Sequence, residues 1–331
     1  MFEFREYRAD DLPKCVELIQ AGHARDFSTK RFRWLHEQAP GGRSAIAVCT
    51  LGSRIVGIYS AIRKTVRFGA QLYCGGRDID PVVHPDYRGR GLFTQLLLFG
   101  VSSFHGIDFC FNFANPLSAP GFQKAGWRRV TTLDDRVFQI RPDRLLPRDL
   151  ATWLVTGALR HCRPAREVAE ISPQVALRLL VEDRTHPPLW IPPDRLTVER
   201  TKSYLRWRYF DNPLPSHHRW FLRGSLAEPL GLVVCSIDEP PSRLFVLDLF
   251  GFGEAPVLRD WLPHWRTAFP RSWVSIWSTV PPVLTRSFVK NPLSRGRGWP
   301  FFVRAVSPGP LPQRLFDRNG WYITRGDLEI L

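Results

Sequence analysis

Apolar residues recur along the chain in two periods, and their order predicts a sheet-rich fold with a few helices. Residues 2–5 alternate apolar and charged side chains, the pattern of a short half-buried strand. Asp10 and Asp11 then precede Leu12 and Pro13, an order that opens a helix because acidic groups and proline suit its first turn. Cys15, Leu18 and Ile19 give that helix an apolar stripe. A second helix is expected over residues 29–38, before the break at Pro40-Gly41-Gly42. Apolar runs at 45–50 and 55–61, joined by Leu51-Gly52-Ser53-Arg54, predict a hairpin. Residues 66–73 and 76–84 extend the sheet, and Pro85 ends the last strand. After Gly91 the period turns helical, with Leu92, Leu96 and Phe99 near one face. A buried-type strand at 109–113, a short helix within 114–123 and closing strands at 127–131 and 136–140 complete the half.

The second half repeats this order. A helix at 175–181, a hairpin of 218–222 with 230–237, and a strand at 243–249 are followed by a helix at 256–269. A strand at 273–278, a helix at 283–290 and a strand at 301–306 close it. Residues 142–170 differ, with a helix expected around 150–160 between Pro147 and Pro164. The pattern therefore implies a mixed α+β fold in tandem. The expected division is an N-terminal domain at 1–142, a helical connector at 143–166 and a C-terminal domain at 167–331.

Composition narrows the classes. With 331 residues and 44% hydrophobic side chains, the chain can bury two cores. Its formal charge is +15, spread as +7 over residues 1–150 and +8 over the rest. Such even spreading argues against a dedicated nucleic-acid surface and still suits phosphorylated ligands. No apolar run approaches a membrane span, and the start of the chain lacks the order of a secretory signal. The six cysteines show no paired spacing, so neither a metal nor a disulfide framework is expected, and a cytoplasmic protein is.

The stretch Asp80-Pro-Val-Val-His-Pro-Asp-Tyr-Arg-Gly-Arg-Gly-Leu-Phe93 carries the most chemistry. It runs from a strand through a proline stop into a helix. Unpaired N–H groups and the macrodipole make such a helix start an anion site. Gly89 and Gly91 let backbone approach a ligand, and Arg88 and Arg90 add charge. A Walker loop would end in Gly-Lys-Ser/Thr, and a dinucleotide fingerprint would need a glycine where Thr94 stands. An Arg/Gly-rich surface turn is the plain alternative.

The segment Arg88-Gly-Arg-Gly-Leu-Phe93 resembles the coenzyme A loop of the GNAT acetyltransferase superfamily, Arg/Gln-x-x-Gly-x-Gly/Ala. Asn115-Pro-Leu-Ser-Ala-Pro-Gly-Phe-Gln-Lys-Ala-Gly-Trp127 is similar to a later motif of that family. The resemblance implies two tandem GNAT-like domains, each a mixed, mostly antiparallel sheet flanked by helices. It also implies that acetyl-CoA, or another acyl-CoA, is the co-substrate. Pantetheine would lie along Val82, Val83 and His84, the pyrophosphate on Arg88, Gly89, Arg90, Gly91, Leu92 and Phe93, and Asn115 near the cofactor arm. Asn115 also reads as a helix N-cap.

Amine acylation needs a base, and the family commonly places a carboxylate on the strand before the loop. Asp80, with Asp78 as substitute, fills that place, and at i and i+2 both should face one side. Either could instead be an ion-pair partner for Arg77 or Arg63. The family's general-acid tyrosine is replaced by Phe122, leaving Tyr73, Tyr87 and Ser118 as other donors. In the second half the matching loop Asp248-Leu-Phe-Gly-Phe-Gly-Glu254 lacks arginine, so no coenzyme is expected there. The run Tyr204-Leu-Arg-Trp-Arg-Tyr-Phe-Asp-Asn-Pro213 suits either a sugar acceptor or packing. With the ending Trp321-Tyr-Ile-Thr-Arg-Gly-Asp327, it resembles tandem GNAT proteins associated with bacterial polysaccharide biosynthesis. The expected activity is N-acylation of a small amine, with amino sugars and phosphorylated or nucleotide-linked amino sugars as candidates. A transferase using aminoacyl-tRNA or acyl-carrier protein, and a non-catalytic coenzyme-binding scaffold, are the alternatives. The oligomeric state is left open.

Overall fold

The computed structural model describes residues 1–23, 26–139, 168–182, 194–214, 218–238, 243–252, 256–269, 273–277, 279–280 and 298–328. Strand β1 (Phe2–Glu6) leads to helices α1 (Leu12–His23) and α2 (Thr29–His36). Next come β2 (Ala45–Leu51), β3 (Arg54–Phe68) and β4 (Gln71–Val83), then α3 (Leu92–Ser103), β5 (Phe109–Phe113), α4 (Ala119–Lys124) and β6 (Arg128–Leu133). The remaining strands are β7 (Asp135–Gln139), β8 (Val168–Ile171), β9 (Thr197–Val198), β10 (Arg219–Gly224), β11 (Pro229–Asp238), β12 (Arg243–Gly251), β13 (Trp273–Trp277) and β14 (Trp299–Ala305). Where separate strands were expected at 55–61, 66–73 and 76–84, two long strands turn at Gly69, whose φ of 60° suits glycine. The helices expected around 150–160 and at 283–290 lie outside the described residues.

Two sheets form, in the orders β1-β2-β3-β4-β5-β14-β6 and β8-β10-β11-β12-β13-β7. They share a plan. Neighbours are antiparallel except β4 with β5 and β12 with β13, the parallel pairs. The expected closing strand at 136–140 does not close the first sheet: β7 pairs with β13, and β14 sits between β5 and β6. The first sheet thus takes β14 and the short β9, which pairs with β3, from the second half of the sequence, and the second sheet takes β7 from the first. The compact units are accordingly discontinuous, one comprising Met1–Leu133, Pro193–Pro215 and Trp299–Trp321, the other Asp134–Pro192, Ser216–Gly298 and Tyr322–Leu331. The expected single cut at 142 gives way to this interleaving, and the connector at 143–166 lies outside the described residues.

In the first unit α3 packs its Leu96 and Leu97 on one sheet face with Tyr59, Ala61 and Cys110. The opposite face is covered by α1, α2 and the 193–215 segment. There Trp207 stacks on Trp34 at 4.8 Å, and each indole N–H donates to the other residue's carbonyl, at 2.8 and 2.9 Å. Burial of Tyr204, Trp207 and Tyr209 gives this aromatic run a packing role. Among the described residues no helix is long and apolar enough to cross a membrane.

Candidate active site

The site begins where β4 leaves β5. Their pairing ends at Arg77 and Phe111, so among the described residues the β5-facing edge of β4 beyond that point has no strand partner. A few residues on, β4 bulges: Ile58 pairs with Val82 and Ser60 with Ile79, leaving Asp80 and Pro81 opposite Tyr59. Asp80 takes a φ of 47°, a conformation rare for a residue with a side chain.

This extra residue separates the two aspartates. The expectation that they share a face fails, because a bulge breaks strand alternation. Asp78 is 2% exposed on the α3 side. It accepts bonds from the Tyr59 hydroxyl (2.8 Å), Asn112 Nδ2 (3.1 Å) and Trp127 Nε1 (3.0 Å). Burial still pushes its carboxyl up to about 7. Asp80 faces the α1 side, its Oδ1 4.0 Å from His23 Nε2.

After Val83 the chain forms a tight turn, Pro85–Tyr87, and enters α3 through Gly91. Gly89 and Gly91 have φ of 76° and 75°, and a Cβ on Gly89 would meet nothing within 4 Å. No side chain caps α3, so its leading N–H groups face the opening. The His84 imidazole accepts from Asp86 N–H (3.3 Å) and lies 2.9 Å from Arg54, which makes it part of the turn. Arg88 does more than add charge. It donates from Nε to the Val83 carbonyl (3.1 Å) and from Nη2 to the Gly22 carbonyl (2.9 Å), tying the end of α1 to the end of β4. At that contact a Cβ on Gly22 would lie 2.1 Å from the Val82 side chain, so a larger residue would force the two apart.

These elements enclose an open cleft of about 450 Å³. Of the residues expected to bind coenzyme, Val82, Val83, Arg88, Gly89, Gly91, Leu92, Phe93 and Asn115 line it, whereas His84 and Arg90 do not. Arg90 instead lies 5.7 Å from the Tyr87 ring. Asn115 acts as a cap as well, its Oδ1 accepting from the N–H groups of Leu117 (3.0 Å) and Ser118 (2.8 Å). Neither Asp78 nor Asp80 is on the lining, although Asp80 reaches it through His23. Gly22, His23, Pro81 and Leu117 line the cleft without having been expected there. A helix-terminal Gly-His pair carries no sequence signal for this, since only the packing of α1 across Val82 brings it in.

Phe122 is buried against Phe93 and Trp127, so the position where the resemblance calls for a tyrosine is a packing site. Among the other proton donors considered, Tyr73 donates to Gln71 (2.6 Å) on the exposed hairpin and does not line the cleft. Tyr87 and Ser118 do line it.

The second unit has a different interior. Asp248 on β12 is buried and accepts from the Thr324 hydroxyl at 2.5 Å. Arg325 donates to Asp135 at 2.5 Å and lies over Phe245 at 4.4 Å. The space they leave does not admit a water molecule.

Residues 3–130 match the family model described as an acetyltransferase (GNAT) domain. No curated protein matches the chain. Solved structures with similar folds include a GCN5-related N-acetyltransferase from Anabaena variabilis, at 12% identity and a TM-score of 0.64 over 93% of this chain and 73% of that one. A probable N-acyltransferase of unknown function from Enterococcus faecalis aligns at 11% identity and a TM-score of 0.64, over 92% and 73% of the two chains. A GCN5-related N-acetyltransferase from Kribbella flavida aligns at 14% and 0.58, over 92% and 71%. The family match is thus confined to residues 3–130, and the mixed α+β fold is shared with these structures.

Proposed function

We propose that this protein is an acyl-CoA dependent N-acyltransferase, acetyl-CoA being the simplest donor, with its active site in the cleft of the first unit. The observation that carries this is the continuity of three features: an unpartnered strand edge at β4, the positive-φ glycines and the uncapped start of α3. A pantetheine arm needs backbone to pair with, and a pyrophosphate needs converging N–H groups with room for close approach. The cleft offers both in sequence. When bound, the coenzyme would supply an acyl thioester.

The protein's own residues then do the rest. Val82 and Val83 orient the arm, and the amides entering α3 hold the phosphates. Arg88 keeps α1 closed over the strand. Asp80 lies beside His23 on the cleft wall, whereas Asp78 serves the core. In this reading the acceptor is a small amine, and an amino sugar bearing a phosphate or nucleotide is the class that a formal charge of +15 would attract.

Acetyl-CoA is expected to raise the melting temperature and, with an amine panel, to yield free thiol. Absence of a shift at millimolar acetyl-CoA would overturn the proposal. Binding without thiol release would leave a coenzyme-binding protein.

A further inference from the structure

We infer that His23, 4.0 Å from Asp80, is the base that takes the proton from the attacking amine. The inference rests on the proposed coenzyme binding and goes beyond it by moving the base from the strand to the end of α1. Asp80 has a positive φ, and strain of that kind persists where surrounding structure enforces it, often at functional sites. Its side chain is 7% exposed, and His23, 31% exposed, lies 4.0 Å away on the cleft wall. A carboxylate beside an imidazole orients the ring and raises its affinity for a proton. Being in the last turn of α1 adds to this, because helix C-terminal carbonyls favour the charged ring.

His36 of α2 senses Asp80, but burial pushes its imidazole down to about 4, so it stays neutral at pH 7. Arg88, from the loop, is bonded to the Gly22 and Val83 carbonyls. Asp78 lies on the opposite sheet face, bonded to Tyr59, Asn112 and Trp127.

Atoms and electrons balance across the step. An ammonium acceptor gives one proton to a ring nitrogen of His23. The freed nitrogen pair forms the C–N bond at the thioester carbonyl carbon while the C=O π pair moves to oxygen. The C=O bond then re-forms and the C–S bond breaks, its electrons leaving on sulfur. A second N–H proton passes to that sulfur, and His23 releases its proton to solvent. The products are an amide, a free thiol and one proton.

The test compares wild type, His23→Gln and Asp80→Asn with acetyl-CoA and two amines. Glucosamine is partly ammonium at neutral pH, whereas hydroxylamine is already neutral and needs no base. Asparagine tolerates a positive φ, so Asp80→Asn should keep the bulge. His23→Gln should lower kcat with glucosamine by about 100-fold, as loss of a general base does, and abolish the acid limb of the pH profile. With hydroxylamine the loss should stay below about tenfold, within the same reasoning. Asp80→Asn should shift the acid limb to lower pH. Calorimetry should show acetyl-CoA affinity essentially unchanged in both variants. An unchanged profile in His23→Gln overturns the inference. So does wild-type protein that binds acetyl-CoA but acylates neither amine, an outcome that spares the coenzyme reading. Failure of wild type to bind acetyl-CoA would remove that reading and this one together.

Discussion

On β4 and on β12 one extra residue bulges the strand shortly after it leaves its parallel neighbour: Asp80 and Pro81 stand opposite Tyr59, and Leu247 is skipped between Val234 and Cys235. Beyond the bulge the two strands meet different surroundings. In the first unit the strand runs into an Arg/Gly loop beside a cleft of about 450 Å³. In the second, Thr324 and Arg325 fill the corresponding place, and a buried Asp248 is bonded to Thr324. The same bulge therefore serves a cleft or a core according to what is packed against it. A sheet plan does not specify a site.

The largest test of that contrast is stoichiometry. Calorimetry should give one acetyl-CoA per chain, and Gly91→Asp should weaken it at least about 100-fold, because it adds charge at an anion site and a Cβ at positive φ. Two sites per chain, or a variant that still binds, would break the comparison. Next in size is Arg325→Ala. Removing one partner of a nearly buried ion pair should cost about 3–5 kcal/mol in chemical denaturation, with coenzyme affinity unchanged.

Third is pH dependence within the first unit, where two buried groups act with opposite sign. His36, pushed down to about 4 from 6.5, makes stability fall as pH drops through that window. Asp78, raised to about 7 from 3.8, makes stability fall as pH rises between those values. Each amounts to about 3–4 kcal/mol at 1.36 kcal/mol per unit, so they largely cancel. Denaturation across pH 4–7 should show His36→Gln growing less stable with rising pH and Asp78→Asn growing more stable. Parallel slopes in the two variants would refute the pairing. The smallest effect expected is for Gly22→Ala, which should cost about 1–3 kcal/mol by crowding Val82, and should weaken acetyl-CoA by freeing Arg88.

Much of the site was legible along the chain. Gly89 and Gly91 before a helical period, after a proline stop, mark the loop that lines the cleft because the requirement is local. The face of Asp80 was not legible: a bulge is a count of residues against a partner strand, and nothing in Asp80-Pro81 states that count. His23 reaches the cleft only through Gly22 packing on Val82. Gly69 was a turn signal inside an apolar run, and the run outweighed it. The destinations of β7 and β14 were hidden for a related reason, since each reads as an ordinary strand and alternation does not say which sheet it joins.

The position of β14 has a consequence for synthesis. On the ribosome, the half carrying the Arg/Gly loop emerges first, yet the gap between β5 and β6 stays open until residues 299–305 have been made. Domains often fold as they emerge, but this sheet must wait through some 165 further residues with two strand edges exposed. A ribosome that stops early, or a protease that removes the strand later, would unmake the first sheet from a cut far away in sequence. The first sheet is therefore a late product of its own messenger.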